Sequence, residues 1–297
     1  MKTADRARGK WRGILLALGV HQRFLTGKHG PCPFCEGRDR FRWDNDKGNG
    51  SFICSVCGAG DGFEFLKRTK GWDFRTTAQE VDKIVGGVKD EPIRQAADPE
   101  AIKRRLRNLW AGSQPLTGDD PASAYLASRN VAHKASCLRF HAQCPKPFGE
   151  GYGQAMLALV SGTNGEAVTI HRTFIEQTDG KRLRATMPGE LPEGCAVRLF
   201  PVQGNRIGIA EGIETSIAAA KRFNLPVWAA LNATMLGKWT PPDGVDEVVI
   251  FGDNDAAYGG QASAYALAHR LVTRLRMKVA VRIPDQTGRD WADGDAS

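Results

Sequence analysis

Cys32-Pro33-Phe34-Cys35 and Cys54-Ser55-Val56-Cys57 constrain this chain more than any other feature. Two close cysteine pairs, eighteen residues apart, can set four thiolates at the corners of a tetrahedron. That is the arrangement Zn²⁺ takes in structural sites. A module this short holds little core of its own, so the metal would carry much of its folding. Unligated thiols or two disulfides are the competing readings, and structural zinc is the one the spacing favours.

The remainder of the chain is enzyme-sized. Its 297 residues are 41% hydrophobic and 25% charged, as in ordinary globular proteins of two or three domains. No stretch approaches the roughly 18 consecutive apolar residues of a membrane span. The apolar run 14–20 is too short for a signal-peptide core, which places the chain in the cytoplasm with no membrane partner. Cys137, Cys144 and Cys195 are then expected to be reduced and partly buried. The formal net charge of +8 is uneven: +6 over residues 1–95, +3 over 96–204 and −1 over 205–297. The first two-thirds suit a polyanion or simply a solvated basic surface, while the last third keeps its acids for something else.

Periodicity predicts helices over 11–20, 62–70 and 74–85, the last capped by Thr76 or Thr77, and short strands over 39–46 and 50–54. Phe41 and Trp43 alternate with Arg40 and Arg42, putting aromatics on one face and arginines on the other. Residues 86–99 read as a linker, followed by a helix with Lys103, Arg104, Arg105 and Arg107 and another helix over 121–129. Strands are expected over 155–160 and 167–176, with a turn at Asp179-Gly180. Beyond residue 205, strands over 206–210, 227–231, 247–251 and 278–283 alternate with helices over 215–223 and 261–276. The second of these helices has Leu267, Leu271 and Leu275 at i, i+4 and i+8. Such alternation predicts a mostly parallel sheet covered on both faces, with its site at the carboxyl ends of the strands.

Two of those strands run directly into acids. Ile209-Ala210 leads into Glu211-Gly212, and Ile250-Phe251 leads into Gly252-Asp253-Asn254-Asp255. Neighbouring strands would bring Glu211, Asp253 and Asp255 together as oxygen ligands for Mg²⁺ or Mn²⁺. Asp290 and Asp293 follow the last strand and could join them. Helix caps and loop acids are the structural alternative.

Glu211-Gly212 after one strand and Asp253-x-Asp255 after a later one resemble the Toprim domain of topoisomerases and primases. With the cysteine module in front, the chain is similar to bacterial replicative primases, to phage primase–helicases and to the Toprim primases of phages, plasmids and integrated elements. Gly71-Trp72-Asp73-Phe74-Arg75, His171-Arg172-Thr173-Phe174 and Glu211-Gly212-Ile213-Glu214-Thr215 carry that resemblance. It departs at Thr215, where many primases have an acid; Glu214 is read as a supporting or helix-start acid. No Walker-type phosphate loop is present.

The resemblance implies an α+β multidomain protein. It would comprise a β zinc ribbon with flanking helices (1–87), a linker and basic helix (88–120), a basic α+β subdomain (121–204) and a Rossmann-like α/β Toprim domain (205–297). The implied activity is synthesis of short RNA primers on single-stranded DNA from ribonucleoside triphosphates, with a replicative helicase acting in trans. Glu211, Asp253, Asp255 and one of Asp290 and Asp293 would form the catalytic acids. Arg172, Lys181, Arg182 and Arg184 would hold template or nucleotide phosphates. Arg38, Arg40, Arg42 and Trp43 would meet the template at the ribbon, the alternative being that Phe41 and Trp43, or at least one of them, fill the ribbon's own small core. A Toprim-type nuclease and a non-catalytic zinc-ribbon adaptor are the alternatives.

Overall fold

Aromatic side chains give the N-terminal unit its core. A computed structural model describes residues 2–90, 98–178, 180–188 and 191–293, and the chain divides into two compact units, Met1–Asp98 and Pro99–Ser297. The first contains α1 (Thr3–Ala7), α2 (Trp11–Ala17), β1 (Phe41–Trp43), β2 (Phe52–Cys54), β3 (Gly58–Gly60), α3 (Gly62–Lys70) and α4 (Phe74–Ile84). The strands form one antiparallel sheet in sequence order. Phe41, Phe52 and Phe65 are almost fully buried, and with Phe34 they pack ring to ring at 5.2–5.9 Å.

Asp61 caps α3, accepting from Glu64 N at 2.9 Å, and Gly71 ends it with φ of 69°, a left-handed conformation that glycine adopts without strain. Asp73, rather than Thr76 or Thr77, caps α4: its carboxylate accepts from Thr76 N at 2.7 Å, an acid one turn earlier taking the role expected of the threonines. Residues 91–97 of the expected linker and Asp179 of the expected turn lie outside the described residues.

The second unit contains α5 (Pro99–Ala111), β4 (Gln114–Pro115), α6 (Pro121–Ser128), β5 (Leu138–Pro145), β6 (Tyr152–Ser161), β7 (Ala167–Thr178), β8 (Lys181–Thr186) and β9 (Ala196–Val197). It continues with β10 (Arg206–Ala210), α7 (Ile213–Phe223), β11 (Val227–Ala229), α8 (Ala233–Lys238), β12 (Glu247–Phe251), α9 (Gly259–Leu275) and β13 (Lys278–Arg282). One sheet runs β13-β12-β10-β11-β9-β6-β5-β4, with β7 against β6 and β8 against β7. Strands β10 to β13 are mutually parallel, whereas β5 to β8 form an antiparallel meander. The last third is thus the mostly parallel α/β domain that its alternation predicts.

Alternating residues sort onto opposite faces. Ile207, Ile209, Val248 and Ile250 share a core with Leu267 and Leu271 of α9. Ala210, Val249 and Phe251 share another with Ala219 and Ala220 of α7. Leu275, expected to continue the α9 stripe, is 46% exposed at the helix end. The meander follows the same rule, with Ala155 and Leu157 on one side and Met156, Ala158 and Val160 on the other.

The start of α3 tests the packing of the first unit. A Cβ at Gly62 would lie 2.1 Å from the buried Trp11 ring. Gly62→Ala is expected to cost about 1–3 kcal/mol and to expose Trp11, read as a lower unfolding midpoint and a red-shifted tryptophan emission.

Candidate functional site

Strand register assembles the acids. Ala210 of β10 pairs with Phe251 of the parallel β12, so Glu211 and Asp253 leave adjacent strands at the same edge. On the other side of β12, Phe251 pairs with Arg282 of β13, and the chain beyond β13 returns to the same place. There Asn254 N donates to Arg289 O at 3.0 Å and Gly288 N donates to Asn254 O at 2.5 Å. The Asn254 amide also donates to Pro284 O and accepts from Gln261, both at 2.7 Å. The middle residue of Asp-x-Asp therefore ties the third acidic segment to the second. Glycines permit the close approach. A Cβ at Gly260 would come within 2.6 Å of Asp253 O, and one at Gly252 within 2.5 Å of Ile283.

The result is a field of like charge. Burial first, then the charges of Asp290, Glu211, Asp255 and Asp293 in that order, pushes the Asp253 carboxyl up to about 7. Glu211 is raised by burial and by Asp255, against the lowering effect of the Ala233 N–H. Asp290 is raised by burial and by Asp293. Asp255 sits more openly, with Oδ2 accepting from Gly260 N at 2.7 Å at the start of α9.

Asp253 Oδ1 is buried with no hydrogen-bond partner. A carboxylate oxygen stripped of water and lacking a donor fits a cation, and an all-oxygen donor set fits Mg²⁺ or Mn²⁺. Among the described residues no three of these acids bring their oxygens within 4.8 Å of one another, so side-chain rotation would have to draw them onto a common ion.

Asp290 and Asp293 are already engaged. Asp290 Oδ1 accepts from Ala292 N at 2.6 Å, Asp293 Oδ2 accepts from Asp290 N at 2.9 Å, and Arg129 Nη2 lies 3.4 and 3.3 Å from the remaining oxygens. Arg129 follows α6, far away in sequence, and no local signal marks it.

The four cysteines form the tighter cluster. Their sulfurs all lie within 4.8 Å of one another, with Cys32 to Cys57 and Cys35 to Cys54 each at 3.9 Å. Zn–S bonds of about 2.3 Å in a tetrahedron imply S···S edges near ~3.8 Å, so the thiols fit zinc and are not disulfide-bonded. The thiols are uneven: burial would raise Cys54, but the N–H groups of Cys57 and Val56 prevail and bring it to about 7, whereas Cys35 and burial push Cys57 up to about 12, so zinc binding would displace protons.

The predicted basic residues divide sharply. Arg172 is 4% exposed: its Nη1 donates to Pro145 O at 2.6 Å, it stacks toward Phe174, and burial lowers its pKa. It shares a β7 face with Ile170 and Phe174, packed in a core with Leu109 of α5, so it is unavailable to phosphates. Trp43 is a second correction. At 5% exposure it fills the ribbon core beside Phe41 and offers no stacking face, because the pleat that turns the arginines outward turns it inward.

Arg38 and Arg40 are exposed, whereas Arg42 pairs with Asp44 at 2.5 Å. Arg182 lies over the Tyr125 ring at 4.5 Å, Arg184 is half exposed, and Lys181 shares their strand. His171 is buried against Thr186; burial chiefly lowers it to about 4, so it is neutral near pH 7.

Comparison with known families finds three matched segments along the chain. Residues 27–63 match the zinc-binding domain of primase-helicase, residues 206–295 match the Toprim domain, and residues 100–199 match a domain of unknown function (DUF7146). Similar solved structures include the zinc-binding and RNA polymerase domains of the Aquifex aeolicus primase. That match has 15% identity and a TM-score of 0.46, covering 99% of this chain and 81% of that one. The primase fragment of the bacteriophage T7 primase-helicase is similar at 16% identity and a TM-score of 0.42, covering 90% and 93%. The RNA polymerase domain of Mycobacterium tuberculosis primase DnaG is similar at 14% and 0.43, covering 67% and 79%. The cysteine cluster and the acid pocket therefore belong to a chain that carries a primase-type zinc ribbon followed by a Toprim domain.

Proposed function

We propose that this protein is a DNA primase, joining ribonucleotides on single-stranded DNA by divalent-metal-dependent nucleotidyl transfer. The observation that carries this is the buried, unpartnered Oδ1 of Asp253, set among carboxylates at the ends of parallel strands. Glu211, Asp253 and Asp255 would hold Mg²⁺ or Mn²⁺, with Asp290 or Asp293 at the margin. Bound there, the cation supplies charge neutralisation for phosphoryl chemistry.

A bond forms between the primer 3′-oxygen and the α-phosphorus of the incoming ribonucleoside triphosphate. The bond from that phosphorus to the β-bridging oxygen breaks, and pyrophosphate leaves. Glu211 would serve either as a further ligand of the cation or as the acceptor of the hydroxyl proton. Arg182 and Arg184, with Lys181 on the same strand, would receive phosphates, and the exposed Arg38 and Arg40 would meet the template backbone. A replicative helicase is the partner this reading implies.

Labelled single-stranded DNA, ribonucleotides and Mg²⁺ should yield short primers. Cleaved fragments would replace the proposal with a Toprim nuclease, and no product would overturn it. Asp253→Asn is expected to lower synthesis by about 100-fold or more while leaving template affinity within about twofold.

The same variant has a signature in metal-free protein. The folded-state pKa of Asp253 lies above its unfolded value, so the native state binds that proton more tightly and stability falls as pH rises toward 7. Melting curves between about pH 5 and 8 should show a shallower decline in Asp253→Asn, together with a smaller Mg²⁺-induced rise in Tm.

One zinc per chain is expected by elemental analysis. Chelation or Cys54→Ser should abolish the unfolding transition of the first unit and template-directed initiation, while residues 99–297 keep their own transition. Normal priming without zinc would remove the ribbon from the proposal.

A further inference from the structure

Glu214 is a buried acid that the proposed chemistry leaves unused. It opens α7 three residues after Glu211, and its side chain is only 9% exposed. The Tyr125 hydroxyl from α6 donates to its Oε1. Arg184 Nη2 from β8 lies 3.4 Å from the same oxygen and 3.3 Å from the Tyr125 hydroxyl. Burial would favour a neutral Glu214, but Tyr125 and Arg184 outweigh it and keep the carboxyl below the usual range. Glu211 lies between β10 and the start of α7, and Arg129, one turn beyond Tyr125, pairs with Asp290 and Asp293, so the trio lies beside the acid pocket. Arg184 spends one edge on this contact and remains 52% exposed. Arg182, its neighbour along the strand, is fixed over the same Tyr125 ring.

We propose that Glu214 is a positioning residue: with Tyr125 it fixes Arg184 at the rim of the acid pocket, so that the open edge of the guanidinium meets the triphosphate of the incoming nucleotide. This rests on the polymerase reading and assigns the departure at Thr215 a purpose. The acid in this stretch acts on an arginine instead of on a cation. An arginine already held in one rotamer loses less freedom when phosphate arrives, and a carboxylate behind it keeps it oriented.

Glu214→Gln is expected to raise the nucleotide KM about tenfold with kcat within about threefold, and to leave the Mg²⁺-induced rise in Tm at the wild-type value. Arg184→Gln should show the same loss, and the double variant should be no worse than Arg184→Gln alone. Three results would overturn the proposal: an unaltered KM in Glu214→Gln, losses that multiply in the double variant, or loss of the Mg²⁺ effect on Tm as in Asp253→Asn.

Titration of a fluorescent ribonucleoside triphosphate in Mg²⁺ reads the same weakening without synthesis. Wild-type protein that binds the nucleotide through Glu214 and Arg184 yet makes no primer sinks the polymerase reading and upholds the positioning. Wild-type protein that makes primers with a KM indifferent to Glu214→Gln sinks the positioning alone. If Glu214→Gln fails to fold, Tyr125→Phe and its double with Arg184→Gln carry the same cycle.

Discussion

Mutual repulsion among carboxylates at one sheet edge is the constraint on which the second unit depends. Register between β10, β12 and β13 forces the acids together, and burial of Asp253 removes the water that would screen them. A fold pays for such crowding only where something compensates. Part of the compensation is visible: Arg129 answers Asp290 and Asp293, and backbone N–H groups answer Asp255 and Asp293. Asp253 Oδ1 is left unanswered, which makes that oxygen the point from which function is argued.

The ribbon solves a different problem by similar means. A three-stranded sheet of three-residue strands has little hydrogen bonding to hold it. Four phenylalanines and a sulfur cluster supply what the strands cannot, and α2 closes the aromatic core through Trp11 against Phe63 at 4.7 Å. Arg68 reaches across Phe34 and Phe52 and donates to Cys57 O at 2.9 Å, so one side chain links the helix, the aromatic core and the second cysteine pair.

Features set by local spacing were legible in the sequence. The cysteine pairs, the acids that end apolar strands and the helices expected over 62–70 and 215–223 each follow from short-range pattern, the second starting two residues earlier in the structure. What escaped was produced by distant strands meeting. Arg172 reads as a cation on a strand and is buried because α5 packs over that face of β7. Trp43 is a local case by contrast: it lies on the aromatic face that the alternation of β1 already marks, and that face is the one turned inward. Arg129, Tyr125 and the partnership of Glu214 with Arg184 join α6, β8 and α7, segments 30 to 89 residues apart for the Glu214 contacts. No periodicity or motif encodes such a meeting. The one local hint was the displacement of the second acid to position 214.

Strand β9 is only two residues long, yet it bonds β6 on one side and β11 on the other. The meander that bears the arginines and the parallel strands that bear the acids are therefore one continuous sheet, joined through β9 by two residue pairs to β6 and one to β11. A ligand spanning the arginines and the acids would then lie across a surface whose two halves are held in register by those few backbone pairings.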